Sequence, residues 1–178
     1  MIDPAIHSFM AIGFAVLFGT AVAHKLRAPA KFVATLAEYR IVPAPLVLPT
    51  GISIMVLEGA LAVGLLWPET RSVCGPIGAG LILIYGTAIG INLSRGRRDL
   101  DCGCSFRRRP IGRWMVARNL LLAAALLALS LPVSGRPLGL VDAATIVAGL
   151  IVSFLLYASA DLLLGGSDSR RNYSMEYP

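Results

Sequence analysis

Two cysteines separated by a single glycine, Cys102-Gly103-Cys104, lie within the arginine-dense stretch 95–110. Alpha carbons two residues apart come within disulfide range, but the ring they close is small and strained. Strained, exposed disulfides are the exchange-active ones. Gly103 relieves the backbone restriction, and the arginines favour the nucleophilic thiolate, partly opposed by Asp99 and Asp101. Two thiols fall short of the four ligands of a structural zinc site, and neither a second pair nor a nearby histidine completes one, so no metal is assigned. The spacing favours thiol–disulfide exchange, with inert small residues in a tight turn as the alternative. The third cysteine, Cys74, stands apart at the start of an apolar run.

The elements that must position this pair are set by composition. Hydrophobic residues make up 56% of the 178-residue chain and charged residues 15%, and the mean hydropathy is +0.74. That balance excludes an ordinary soluble domain and predicts an all-α integral membrane protein, because long apolar runs enter hydrocarbon as helices with internally bonded backbones. Five segments, 5–23, 46–67, 73–93, 114–131 and 138–164, are long enough to span, predicting a bundle of about five transmembrane helices in a single domain, 1–178, with a polar tail over 166–178. No lysine or arginine precedes the first segment and no small-residue cleavage site follows it cleanly, so it reads as a retained helix rather than a signal peptide. Gly86 with Gly90, and Gly19 with Ala23, form small-residue faces suited to close helix packing. Pro43, Pro45 and Pro49 stiffen the approach to the second span.

Basic residues accumulate in short cytoplasmic loops. Thirteen of the sixteen lie on one predicted side: Lys25, Arg27, Lys31 and Arg40 in the first connection, seven arginines in the third, and Arg170 with Arg171 after the fifth span. Arg71 and Arg136 fall on the other side. The expected topology has the amino terminus outside and the carboxyl terminus and Cys-Gly-Cys loop in the cytoplasm, with the arginines facing anionic lipid rather than nucleic acid.

Glu58 and Arg118 fall inside predicted spans, where an ionisable group costs about 2.5–3.5 kcal/mol on insertion scales and usually faces the bundle interior beside a partner. Both spans start from the cytoplasmic side, so Glu58 and the Arg118-Asn119 pair can share a depth, either as an ion pair or as the lining of a polar site. Asp142 and Asp161, near helix ends, suit capping or solvation.

In order along the chain come Ala23-His24-Lys25-Leu26, Lys31-Phe32 with Leu36 and Tyr39, Leu57-Glu58-Gly59-Ala60, Asn92-Leu93-Ser94-Arg95-Gly96, Asp101-Cys102-Gly103-Cys104 and Arg118-Asn119. This pattern resembles the MauE family of methylamine utilisation, within the wider DoxX-like group of small helical bundles. The resemblance runs from about Phe14 to the last helix. Ser105 stands where related proteins often show Phe-Gly, and Cys74 lies outside the shared pattern. The resemblance implies a four-helix DoxX-like core in the plasma (inner) membrane and a role in maturing an exported, disulfide-rich client such as the small subunit of methylamine dehydrogenase. A thioredoxin-like MauD-type protein would be its partner. Cys102 and Cys104 would carry the exchange, supported by His24, Lys25, Glu58, Arg118 and Asn119. Because the client's disulfides form outside, either electrons cross the membrane by exchange or the motif dips into the bundle near Glu58, Arg118 and His24. No cofactor is fixed. Similarity to DoxX-like proteins offers a quinone-linked redox subunit as the competing reading, and a non-catalytic assembly scaffold is a third.

Overall fold

Asp3 caps the first helix: its side chain accepts the Ala5 N–H at 2.8 Å, and Pro4 occupies the first turn, where a missing N–H costs nothing. The computed structural model describes residues 1–97, 111–156 and 159. Among them are six α-helices: α1 (Pro4–Arg27), α2 (Pro29–Glu38), α3 (Ala44–Gly64), α4 (Arg71–Ser94), α5 (Arg113–Ala128) and α6 (Leu140–Leu156), with a 3-10 turn at Pro68–Thr70 before α4. The described residues contain no strand, only an isolated bridge between Ile2 and Val133.

Each of the five apolar segments contains a helix, but the boundaries differ from expectation. α1 does not stop at residue 23; it continues to Arg27, carrying His24 and Lys25 on its last turn, and ends where Pro29 disfavours helical geometry in the residue before it. The following stretch, read as connection, folds into α2, whose Phe32, Val33 and Leu36 face Gly51 of α3. Three helical stretches, Pro4–Arg27, Ala44–Gly64 and Pro68–Ser94, are long and apolar enough to cross a membrane. α5 has 16 residues, about 24 Å at 1.5 Å per residue and short of a hydrocarbon core about 30 Å thick. α6 is described to Leu156; the end of the expected fifth span at 164, Asp161, and the polar tail lie outside the described residues.

The core gathers Phe18 from α1, Leu61 from α3 with Leu65 just beyond it, Ala79 and Ile82 from α4, and Leu126 from α5 with Leu129 just beyond it. α4 and α5 meet through glycine. A Cβ on Gly75 would lie 2.7 Å from the Leu126 carbonyl oxygen, and one on Gly86 3.2 Å from the Asn119 Cβ. Gly90, expected to share a packing face with Gly86, has nothing within 4 Å of a built Cβ. The close approach therefore follows Gly75, Gly78 and Gly86 rather than the Gly86/Gly90 pair, because their Cβ positions are the ones aimed at α5 or Phe18.

Hydrogen bonds sort the connections onto two ends. At one, Ile2 donates to Pro132 and Ser134 to Ile2, both at 2.9 Å, while Arg136 bridges Asp3 and Asp142. There Arg71 donates to the carbonyls of Leu65 and Leu66 and to Ser8. At the other end, the turn between α2 and α3 is bonded to the end of α4. The connection before α4 and the segment after α5 thus share one end with the amino terminus, and the turn before α3 shares the other with the end of α4.

Candidate functional site

Because α1 extends to Arg27, Lys25 sits on a helical turn facing α3, and only 3% of its surface is exposed. Its Nζ donates to Glu58 Oε1 at 2.5 Å, and Glu58 is fully buried. The Tyr85 hydroxyl on α4 donates to the same oxygen at 2.6 Å. The Lys25 ammonium also lies 5.0 Å from the centroid of the Phe32 ring and 5.4 Å from that of Tyr85. Four elements, α1 to α4, thus meet around one ammonium. Desolvating two charges is costly, and here that cost is offset by a direct ion pair, a second hydrogen bond to the carboxylate and two aromatic faces toward the cation.

The carboxylate is satisfied asymmetrically. Oε1 accepts both donors, whereas Oε2 has no hydrogen-bond partner among the described residues. Asn119, 4% exposed, packs against Gly86, the residue after Tyr85, so the polar pair of α5 reaches the level of the cluster. Arg118 is half-buried, and its Nε is buried with no hydrogen-bond partner among the described residues. The Glu58–Arg118 ion pair considered from shared depth is not formed: the partner of Glu58 is Lys25. His24 is half-buried one residue before Lys25.

Cys102 and Cys104 lie outside the described residues, but both flanks of their loop are anchored. On entry, Arg97 donates to the Glu38 carbonyl at 2.8 Å and to Asn92 Oδ1 at 3.2 Å. On exit, Ile111 is buried with Tyr39 and Ile89. Ser94, the end of α4, comes nine positions after Tyr85, which places the buried cluster about 13 Å along the helix from that end. Among the described residues no group of three His, Cys, Asp or Glu side chains is arranged to hold a metal ion.

Several polar residues escaped the sequence reading. Tyr85 was hidden inside an apolar run, although a hydroxyl there needs a partner and was a usable signal. At the opposite end, His7 Nε2 donates to the Leu129 carbonyl at 3.1 Å, a role that assigns it the proton, and its Nδ1 lies 3.5 Å from Arg71. Outside the helices, hydrogen bonding from Arg136, assisted by the Ala5 N–H, holds the Asp3 carboxyl below its ordinary range.

Fold and site together define a class: a small all-helical bundle with membrane-length apolar helices and an ion pair sealed in its interior. The chain belongs to the MauE family; residues 3–132 match the family described as methylamine utilisation protein MauE. It is 34% identical to the methylamine utilization protein MauE of Methylophilus methylotrophus, over 92% of this chain and 88% of that protein. It is 37% identical to the MauE of Paracoccus versutus, over 94% of this chain and 91% of that protein. No solved structure matches the chain.

Proposed function

We propose that the protein is a multi-pass inner-membrane factor that supports disulfide formation and maturation of an exported client, through reversible thiol–disulfide exchange at Cys102 and Cys104. Membership of the MauE family, named for methylamine utilisation, carries this reading, together with the Cys-Gly-Cys spacing in an arginine-rich loop. The client class is an exported disulfide-containing protein such as the small subunit of methylamine dehydrogenase, and the redox partner a thioredoxin-like protein of the MauD type. In the exchange, one thiolate attacks a partner disulfide and forms a mixed disulfide while releasing one partner thiolate. The second cysteine then attacks the mixed bond, so the protein is oxidised to its internal disulfide and the thioredoxin-like partner is reduced to a dithiol. The same exchange run the other way passes that disulfide on: a client thiolate attacks it, a second client thiolate resolves the mixed bond, and the client gains a disulfide as Cys102 and Cys104 return to thiols. Two electrons pass between the pairs, and the partner's thiolates take up the protons that the attacking thiols give up.

The buried Lys25–Glu58–Tyr85 cluster supports this reading as scaffold. It ties α1, α3 and α4 together on the bundle side of the loop, with Asn119 of α5 at the same level, and both helices that flank the loop are thereby fixed. Differential alkylation tests the chemistry. Cys102 and Cys104 should shift together between alkylated and disulfide-bonded forms as the redox buffer is varied. Thiols that stay reduced under mild oxidation, with full function in Cys102→Ser, would remove the exchange reading.

A further inference from the structure

Three consecutive carbonyls in the turn between α2 and α3 are gripped by side chains from the end of α4. Arg97 Nη1 donates to Glu38 at 2.8 Å, Asn92 Nδ2 to Tyr39 at 3.2 Å, and Arg95 Nη1 to Arg40 at 3.3 Å. Arg40 itself has a φ of 50°, in the left-handed region that a non-glycine residue occupies at a cost, and its carbonyl is the one that Arg95 holds. Neither Arg95 nor Arg97 has a carboxylate partner among the described residues. A guanidinium has five N–H donors, and neutral carbonyls use only some of them without cancelling the charge. Arg40, whose carbonyl Arg95 holds, is itself exposed, and Glu38 is the one exposed carboxylate described at this end.

Immediately beyond the turn the surface becomes apolar. Leu48, Ile52 and Val56 are all exposed and, four residues apart, share one face of α3, a helix long and apolar enough to cross a membrane. Fixed positive charge capping an exposed apolar strip complements an amphiphile that carries an anionic head on a hydrocarbon tail. We infer that this end of α3 is a binding site for an anionic phospholipid, with Arg40 and Arg95 on the headgroup phosphate and the acyl chain along Leu48, Ile52 and Val56. A free phosphate matches the arginines alone, whereas a lipid also follows the apolar face that continues from them along a helix of membrane-crossing length, and this is why the lipid is the assigned ligand. The site is independent of the thiol chemistry proposed above, and it acts through α2 and the turn that precede the spanning helix.

Native mass spectrometry of the full chain, released from mixed phosphatidylcholine and phosphatidylglycerol, tests the assignment. The wild type should retain phosphatidylglycerol preferentially, and each charge removed by Arg40→Gln or Arg95→Gln should lower that retention by about fivefold. Arg136→Gln, at the opposite end, should leave it unchanged. Arg95 also holds backbone, so circular dichroism accompanies its variant. If that variant is misfolded, Arg40→Gln decides alone, because the Arg40 side chain makes no hydrogen bond among the described residues. Equal retention of the two lipids by the wild type, or undiminished phosphatidylglycerol in Arg40→Gln, overturns the site. Displacement of the lipid by an equal concentration of inorganic phosphate overturns the lipid assignment in favour of a simple anion site.

Discussion

Glu58 accepts hydrogen bonds from Lys25 and Tyr85 on one oxygen, in a position fully closed to solvent, so the three side chains act as one unit. Removing one member of a buried ion pair leaves the other charge uncompensated, at a cost of about 3–5 kcal/mol in soluble proteins. Lys25→Met and Glu58→Gln should therefore each sharply lower the thermal midpoint or the accumulation of the protein, while the double variant should lose much less than the sum. Tyr85→Phe removes only one hydrogen bond to a charged group, about 1.5–3 kcal/mol, and should fall between these and the wild type. Arg118→Ala should combine additively with Glu58→Gln, since Arg118 is not a partner of Glu58; a coupling energy as large as that of Lys25 would contradict the geometry. The sequence exposed the ionisable residues but not their pairing. Counting basic residues by loop places Lys25 outside the first span, and only the extension of α1 to Arg27 turns it onto α3.

At the scale of elements, the apolar segments were legible because a helix in hydrocarbon needs a long uncharged run, and that requirement is written in composition. Which glycine meets which neighbour was not, since the spacing of small residues leaves the rotation of the helix open. Gly86 and Gly90 share a face by spacing, yet the contact with α5 is made at Gly75 and Gly86. α2 was missed for a related reason: a short amphipathic helix that packs Phe32, Val33 and Leu36 over Gly51 of α3 draws its stability from packing, which no local pattern reveals. Gly75→Ala drives a methyl to 2.7 Å from the Leu126 carbonyl oxygen, a backbone atom with little freedom to yield. Melting should show a large loss for this variant. Gly59→Ala meets nothing within 4 Å and should leave the melting curve close to that of the wild type. Equal behaviour of the two would refute the α4–α5 packing described here.

Across the whole molecule, the polar bonds at the two ends of the bundle differ in kind, and so does their response to pH. Arg136 keeps the Asp3 carboxyl below its ordinary value of 3.8. A depressed carboxylate contributes stability that is present above that value and is lost as pH falls through the lower, folded one. Closure of the amino terminus onto the 132–136 segment should thus persist through neutral and mildly acidic pH and weaken only at stronger acidity. Arg136→Gln should reduce the acid-dependent part of the melting curve. The topology proposed from the distribution of basic residues predicts that reporter fusions after Arg40, Arg71, Arg109, Arg136 and Arg171 alternate in, out, in, out, in. An outside signal after Arg109 would place the cysteine loop directly in the compartment of the exported client. Exchange at Cys102 and Cys104 is tested by a mixed-disulfide trap in cells using Cys102→Ser and Cys104→Ser separately. One of the two variants should accumulate a covalent complex with a thioredoxin-like or exported protein that reductant dissolves. Absence of any such complex in both, with full client maturation by the double cysteine variant, would rule out exchange at this pair.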